Sequence, residues 1–229
     1  MLVRTAVGND EPPPSSCPDD ARAGDAPMGD MRFRALLTAA EWAALSPAVR
    51  RRFSKRLAGG RTASYVGEVL EAWTSRLGWL LVQSLRLIGG PLPVSHDTRV
   101  PSVVTVTEDI AGGGQIWTRL YARRHGFPQV IHSSKRFAGP TGLEEHVGCG
   151  IGMTLAVSVE ADALVFRSCR YFVEIGRRRL TLPHWAAPGA LTVRHVEAEG
   201  GGFVFQMEIV HQRLGALVRQ TAKFQEAAP

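Results

Sequence analysis

The sequence predicts an α+β fold, in which N-terminal helices pack on a strongly curved antiparallel β-sheet of eight or nine strands, closed as a barrel or curled as a half-barrel. The first observation behind this prediction is the stretch 151–159, where apolar residues alternate with small or polar ones. A period of two indicates a strand with one buried face. The second observation is the turn at 161–163 and the new strand from Leu164, which together make an antiparallel hairpin.

Strand patterns follow one another from Pro93 to the end of the chain. Turn signals rich in glycine separate them, as is typical of a β-meander that closes or curls. The predicted strands cover 103–110, 115–123, 129–137, the central hairpin, 178–182, 191–198, 203–211 and 216–225. The glycines at 148, 150 and 152 resemble a nucleotide loop, but they lie within a strand pattern. They therefore predict a bulge, a sharp bend or a close backbone approach.

The N-terminal part of the chain predicts a tail followed by helices. Residues 1–30 are rich in proline, serine and aspartate and poor in apolar residues, so we expect a disordered tail. The remainder, 31–229, is predicted to be one domain with a helical part over 31–93 and an antiparallel β part over 94–229. Within the helical part, three- and four-residue spacing predicts helix over 31–57.

A second and more apolar helix is predicted over Tyr65–Ile88, ended by the segment Gly89-Gly90-Pro91-Leu92-Pro93. Two interpretations stay open. The helix either covers one face of the sheet, or it docks on a membrane surface or a partner protein. We favour the first, because a sheet with one buried face requires a cover. A membrane-surface helix would also carry more lysine and arginine on its polar face.

The composition and the missing motifs argue against a nucleic-acid-binding, a membrane-spanning or a cofactor-dependent protein. The formal charge is +6, but the arginines are scattered along the chain and only three lysines are present, so nucleic-acid binding is not expected. No apolar run is long enough for a membrane-spanning helix, and no signal peptide is apparent. Three cysteines without a C-x-x-C motif fit a reducing cytoplasmic setting, and Cys149 and Cys169 are expected to be buried free thiols. Dinucleotide, phosphate-loop, zinc-protease and nucleophile-elbow motifs are missing, and no cofactor is expected.

The polar residues on strand faces are the candidates for chemistry. Trp117, Arg119 and Tyr121 point the same way from one strand. An arginine between two aromatic rings can stack and still donate several hydrogen bonds to a carboxylate or an enolate. The predicted ligand-binding set is Trp117, Arg119, Tyr121, Tyr171, Trp185, Phe203, Phe205 and His211.

His195 and Glu145 are the predicted catalytic pair, because each can move a proton near that arginine. A histidine at the end of an apolar strand face is, however, more often a core residue. His195, His211 and Glu145 would also make a 2-His-1-carboxylate metal set. Nothing in their spacing forces them together, so no metal site is predicted.

Four short motifs carry a family resemblance over about residues 33–224. They are W-x-R at Trp117 and Arg119, E-x-x-G-x-G-x-G-M from Glu145 to Met153, L-P-x-W-x-x-P-G from Leu182 to Gly189, and H-x-x-x-G at His211 and Gly215. In these the chain resembles a bacterial family known only as a domain of unknown function. Members stand alone or are fused to saccharopine-dehydrogenase-like or epimerase-like reductases, so the resemblance implies a small-molecule setting and a reductase partner. Gln212 replaces the proline usual in the last motif.

Two functions are consistent with these observations. The first is a pocket protein for an apolar or polyketide-like molecule, which either only binds or acts as a cofactor-free cyclase or isomerase by positioning its substrate. The second is a non-catalytic accessory module that docks on a reductase or a membrane through the 65–88 helix. The first predicts an interior cavity lined by Trp117, Arg119 and the Phe203 strand. The second predicts a filled interior and an exposed apolar stripe. A membrane partner is not expected.

Overall fold

The fold is an antiparallel β-barrel with a few short helices. The computed structural model describes residues 30–55 and 57–227. The predicted tail, apart from Asp30, lies outside the described residues. The strands are β1 (Ala63–Thr74), β2 (Pro101–Asp109), β3 (Gly114–Tyr121), β4 (Gln129–Arg136), β5 (Glu144–Gly148), β6 (Ile151–Glu160), β7 (Ala163–Ile175), β8 (Arg178–Thr181), β9 (Ala190–Glu197), β10 (Phe203–His211) and β11 (Gly215–Glu226).

The barrel closes because the first described strand pairs with the last. Tyr65 of β1 lies opposite Val104 of β2 on one side and opposite Glu226 of β11 on the other. β6 and β7 pair along most of their length, and β9 continues from β7 to β10. Ten strands therefore form a ring, and the short β8 pairs with β7 beside it. The predicted barrel is confirmed, although the sequence analysis expected fewer strands.

The helix predicted over Tyr65–Ile88 is wrong in its first half, which is β1. Only α3 (Arg76–Leu85) and a 3-10 turn (Arg86–Ile88) are helical. β1 carries apolar residues on both faces: Tyr65 and Val69 are buried, whereas Val66, Leu70 and Trp73 are exposed. Together these positions imitate the three- and four-residue spacing of a helix. The predicted helical part therefore contributes a wall strand to the barrel.

Short helices close one end of the barrel, which we call the filled end. They are a 3-10 turn (Arg34–Leu36), α1 (Ala39–Ala44) and α2 (Pro47–Phe53). Ser46 is the N-cap of α2, since the backbone N–H of Val49 donates to Ser46 Oγ at 3.3 Å. α2 buries Val49 and Phe53 in the barrel core. Of the helices in the described ranges, none is long and apolar enough to cross a lipid bilayer.

α3 covers the other end, which we call the mouth end. Because neighbouring strands are antiparallel, the connections 75–100, 122–128, 149–150, 176–177 and 212–214 all lie at this end. The backbone N–H of Ser75 donates to the carbonyl of Leu217 in β11 at 2.9 Å. A Cβ at Gly78 would lie 1.9 Å from that carbonyl oxygen, so glycine allows the helix to sit directly on the strand. α3 is thereby held across the opening.

Candidate ligand-binding site

A cavity of about 270 Å³ lies inside the barrel, under α3. Most of its wall is apolar, and the wall comes from α3, the segment after it, the 182–188 segment and the inward faces of eight strands. The apolar lining includes Leu81, Leu85, Ile88, Leu92, Ile131, Met153, Leu191, Val193, Phe205, Met207 and Ile209. A largely apolar, enclosed space with a few polar groups is the usual form of a small-molecule site.

Arg119, Ser133 and Glu145 form the polar corner of this cavity, with Lys135 just behind it. The strand register brings them together, since Glu145 of β5 lies directly opposite Lys135 of β4, and β3 supplies Arg119 next to them. Lys135 Nζ is 2.9 Å from Glu145 Oε2. Arg119 Nη1 donates to Ser133 Oγ at 3.1 Å, while its Nη2 is 3.7 Å from Glu145 Oε1.

The charges in this corner fix one another's protonation. Burial alone would raise the pKa of Glu145, but the charges of Lys135 and Arg119 and hydrogen bonds from Lys135 and Ser133 lower it to about 2. Burial lowers the pKa of Lys135, and the charge of Arg119 acts in the same direction, while Glu145 opposes both. Glu145 is therefore a carboxylate at neutral pH. Two cationic side chains share this one anion, so the corner favours a further negative charge.

Two tyrosines predicted as ligand contacts, Tyr121 and Tyr171, also line the cavity. The Tyr121 hydroxyl donates to Gln220 Oε1 at 3.3 Å, and the Tyr171 hydroxyl donates to the carbonyl of Gly189 at 2.9 Å. Burial raises the pKa of both phenols, so both stay neutral. The Tyr171 bond fastens the segment between β8 and β9 against the barrel.

Trp117, His195 and Phe203 do not line the cavity, because they lie deeper, toward the filled end. The His195 ring packs among Phe53, Phe166 and Phe205 with centroid distances of 5.1, 5.8 and 5.6 Å. Its Nδ1 has no hydrogen-bond partner among the described residues. Burial and nearby cations hold its pKa well below the ordinary 6.5, so it is neutral. This is the environment of a core histidine.

Trp185 and His211 lie outside the barrel, on a groove of about 990 Å³ formed by the 182–189 segment, β7 and the end of β10. Trp185 is 84% exposed. The pairing of β10 with β11 shifts between Ile209 and Val210, and this irregularity removes His211 from the inward face that the alternation predicted. Cys169 lies on the same groove, and both Cys149 and Cys169 are exposed, so the expectation of buried thiols is wrong.

The described residues contain no group of three histidine, cysteine, aspartate or glutamate side chains that could share a metal ion. His195, His211 and Glu145 thus lie apart. Sequence analysis missed Lys135, Ser133 and Gln220, which are all buried polar residues near the cavity. The signal for two of them was present, because Ile131, Ser133 and Lys135 alternate onto one face of β4.

Comparison with protein-family models assigns the chain to a family. The sequence model of a domain of unknown function, DUF4166, matches residues 45–224. The chain belongs to this family. The DUF4166 match runs from the residues before α2 into β11 and so covers almost the whole barrel. No match was found among the curated proteins.

The motifs noted in the sequence meet at the cavity. Arg119 comes from the first, Glu145 and Met153 from the second, and Leu182 from the third, and all four residues line it. The fourth motif, at the β10–β11 turn, contributes His211 to the outer groove. Three of the four motifs that carry the family resemblance therefore contribute residues to the lining of this cavity.

Proposed function

We propose that this barrel binds one small, mainly apolar molecule that carries an anionic group, a carboxylate or an enolate, at one end. The observation that carries the proposal is the cavity itself: an apolar space with a single charged corner that has more positive than negative charge. The anionic group would meet Arg119, and the apolar body would lie against the β9 and β10 side chains and the inner face of α3.

Arg119 has donors to spare for such a group. A guanidinium offers five N–H donors, and one nitrogen of Arg119 donates to Ser133. Its contact with Glu145, at 3.7 Å, is longer than a hydrogen bond, and 14% of the side chain is exposed. Glu145 pairs with both Lys135 and Arg119 and holds them in place, but its single negative charge balances only one of the two positive charges. A ligand carboxylate would complete the charge balance in a medium of low dielectric constant, where the attraction is strong.

The electrostatics favour binding over proton transfer. A carboxylate with a pKa of about 2, such as Glu145, is a weak base. His195, the other predicted proton carrier, does not line the cavity. A cyclase or isomerase built on this barrel would act by holding a flexible substrate in a reactive conformation, which requires no titrating side chain. The accessory-module alternative expected a filled interior, and the cavity weighs against it.

The test compares decanoate with decanol, two probes that share an apolar chain and differ in charge. Wild-type protein is expected to bind decanoate at least tenfold more tightly in calorimetric titrations, because a charge-assisted hydrogen bond in a dry site contributes about 1.5–3 kcal/mol. Arg119→Leu should remove the preference and leave decanol binding in place.

Arg170→Leu is the matched control, because it removes an exposed arginine from the outer groove. It should change neither affinity. An Arg119→Leu protein that is folded by circular dichroism and retains the preference for decanoate contradicts the proposal. Loss of the preference only in Arg170→Leu places the binding site in the outer groove.

A further inference from the structure

The helix that covers the cavity carries apolar side chains on both of its faces. Leu81 and Leu85 face the interior. On the other side Leu77, Trp79 and Leu80 are each about half exposed, and Leu87, in the turn that follows, is 88% exposed. Arg76, Gln83 and Ser84 also lie on the outward side, so α3 is an amphipathic helix whose polar face carries additional large apolar side chains. The outward face of α3 therefore has the character of a binding surface.

Neighbouring segments extend this apolar face. Because Gly78 packs on Leu217, the β10–β11 turn and its exposed Leu214 lie beside the start of α3. The Gln129 side chain bonds to the backbone of Leu92 and Val94, which places the β3–β4 loop and Phe127 beside the end of α3. Phe127 is 91% exposed. We call the resulting patch the mouth surface: Leu77, Trp79, Leu80, Leu87, Phe127 and Leu214.

The segments that carry the mouth surface are also basic. The connections 75–100, 122–128, 176–177 and 212–214 contain one acidic residue, Asp97, and seven arginines: Arg76, Arg86, Arg99, Arg123, Arg124, Arg177 and Arg213. None of these arginines forms an ion pair with another described residue, whereas Arg136, Arg167 and Arg179 on the barrel wall all do. Their positive charge is thus available to something outside the molecule.

We propose that the mouth surface docks on a membrane that contains anionic lipids. Leucine, tryptophan and phenylalanine side chains enter the boundary between headgroups and acyl chains, and arginines around them attract anionic headgroups. The polar face of the 65–88 segment alone carries few basic residues. In the fold, the basic residues come from other connections at the same end. Docking would place the cavity mouth against the bilayer.

This docking also identifies the ligand class. A mainly apolar molecule with one anionic end dissolves in membranes, and α3 separates the cavity from the docked surface. The cavity ligand would then be a membrane-borne amphiphile that enters past α3. That identification rests on the proposed function, whereas the docking itself does not, because the mouth surface and the cavity wall consist of different side chains.

Flotation with vesicles tests the docking on the full chain. Wild-type protein should float with vesicles of phosphatidylcholine and phosphatidylglycerol in equal parts, and not with phosphatidylcholine alone. Leu80→Ser with Leu87→Ser should lower the partition coefficient at least tenfold, since apolar area leaves the bilayer. The control is Ile110→Ser, which removes a side chain that is 87% exposed in the turn after β2, at the filled end.

A second pair of variants tests the charges. Arg123→Gln with Arg213→Gln should lower partitioning about 25-fold, because an arginine near an anionic surface contributes about fivefold. Arg34→Gln with Arg61→Gln, two exposed arginines at the filled end, should leave it unchanged.

Wild-type protein that stays with the supernatant at every lipid composition overturns the proposal. Flotation of the mouth-surface variants that equals flotation of the wild type also overturns it. A third contrary outcome is that the wild type self-associates in size-exclusion chromatography and that the variants lose this self-association but still float. Arg119→Leu separates the two proposals, because it should lose the preference for decanoate and still float. If wild-type protein floats with vesicles but does not bind decanoate, the proposed ligand binding in the cavity is wrong and the proposed membrane docking stands.

Discussion

The two halves of the barrel interior differ in how densely their side chains are packed. Toward the filled end, Phe33, Phe53, Trp117, Phe166 and Phe203 pack ring against ring. Toward the mouth end, the inward side chains stand apart and leave the cavity, and charged groups occupy its wall. The filled half gives the barrel its packing energy. The cavity half has fewer packing contacts, and it provides the empty volume and the charged groups that the proposed binding site requires.

Polar groups reinforce the contrast. The unpartnered buried side-chain atoms among the described residues are Nε and Nη2 of Arg52, Nε1 of Trp117 and Nδ1 of His195, all toward the filled end. The Arg52 guanidinium lies 3.6 Å from the Phe203 ring centroid, and burial lowers its pKa to about 10. In the cavity half, Arg119, Lys135 and Glu145 pair with one another. Among the described residues, unpaired polar atoms therefore lie where aromatic rings fill the interior, and the charged groups at the cavity are paired.

Shortening side chains should affect the two halves unequally. Phe53→Ala removes a ring that contacts four other aromatic rings, including Phe33 and His195, and should cost about 4 kcal/mol of unfolding free energy. Met207→Ala, on the cavity wall, should cost about 2 kcal/mol, since Met207 is only partly buried and has fewer neighbours to lose. Urea denaturation of both variants measures the difference. Equal losses would mean that the cavity half is as tightly packed as the filled half.

The charged corner should be fragile to single substitutions and more tolerant of a double one. Glu145→Leu leaves Lys135, which is buried, without its counter-ion, and should cost about 3 kcal/mol. Adding Lys135→Met should recover part of that loss, because the more deeply buried charge is gone and only Arg119, whose side chain is 14% exposed, stays without its partner. Denaturant midpoints of wild type, both single variants and the double variant complete the cycle. A double variant as unstable as Glu145→Leu would show that the pair contributes net stability.

The smallest expected effect is the pH dependence from His195. Its pKa in the folded chain lies well below 6.5, so the unfolded chain binds the extra proton first as the pH falls. The corresponding stability is complete above pH 6.5 and is lost below it, by at most about 1.4 kcal/mol per pH unit. His195→Phe should therefore flatten the change in unfolding free energy between pH 7.5 and 5.5.

His125→Phe, in the exposed β3–β4 loop, is the control for that measurement and should keep the wild-type slope. An unchanged slope in His195→Phe would mean that the pKa of His195 is the same in the folded and the unfolded chain.

The fold after Pro93 was predictable because one-sided strands show their period directly. All nine strands predicted after Pro93 begin within about two residues of their structural starts, since glycine-rich turns separate many of them. β1 was not predictable, because Val66, Leu70 and Trp73 add apolar residues to its outer face. β5 was missed because Glu144 and Glu145 begin it, and their partners, Arg179 and Lys135, lie on other strands.

The candidate site was half predictable for a related reason. Alternation placed Trp117, Arg119 and Tyr121 on one face correctly, but it gives no height along the barrel axis. Trp117 lies in the filled half and Tyr121 at the cavity, two residues either side of Arg119. Which half is filled depends on where α2 inserts Phe53, and no local pattern contains that information.

The seam between β1 and β11 has a consequence for biogenesis. β1 starts at Ala63, and its partner β11 ends at Glu226, so the two strands are synthesised more than 150 residues apart. Until β11 has been synthesised, one long edge of the nascent sheet stays open to pairing with other chains. We therefore expect a product truncated before β11 to aggregate rather than to form a smaller barrel, and cellular chaperones to engage the chain until β11 is available for pairing.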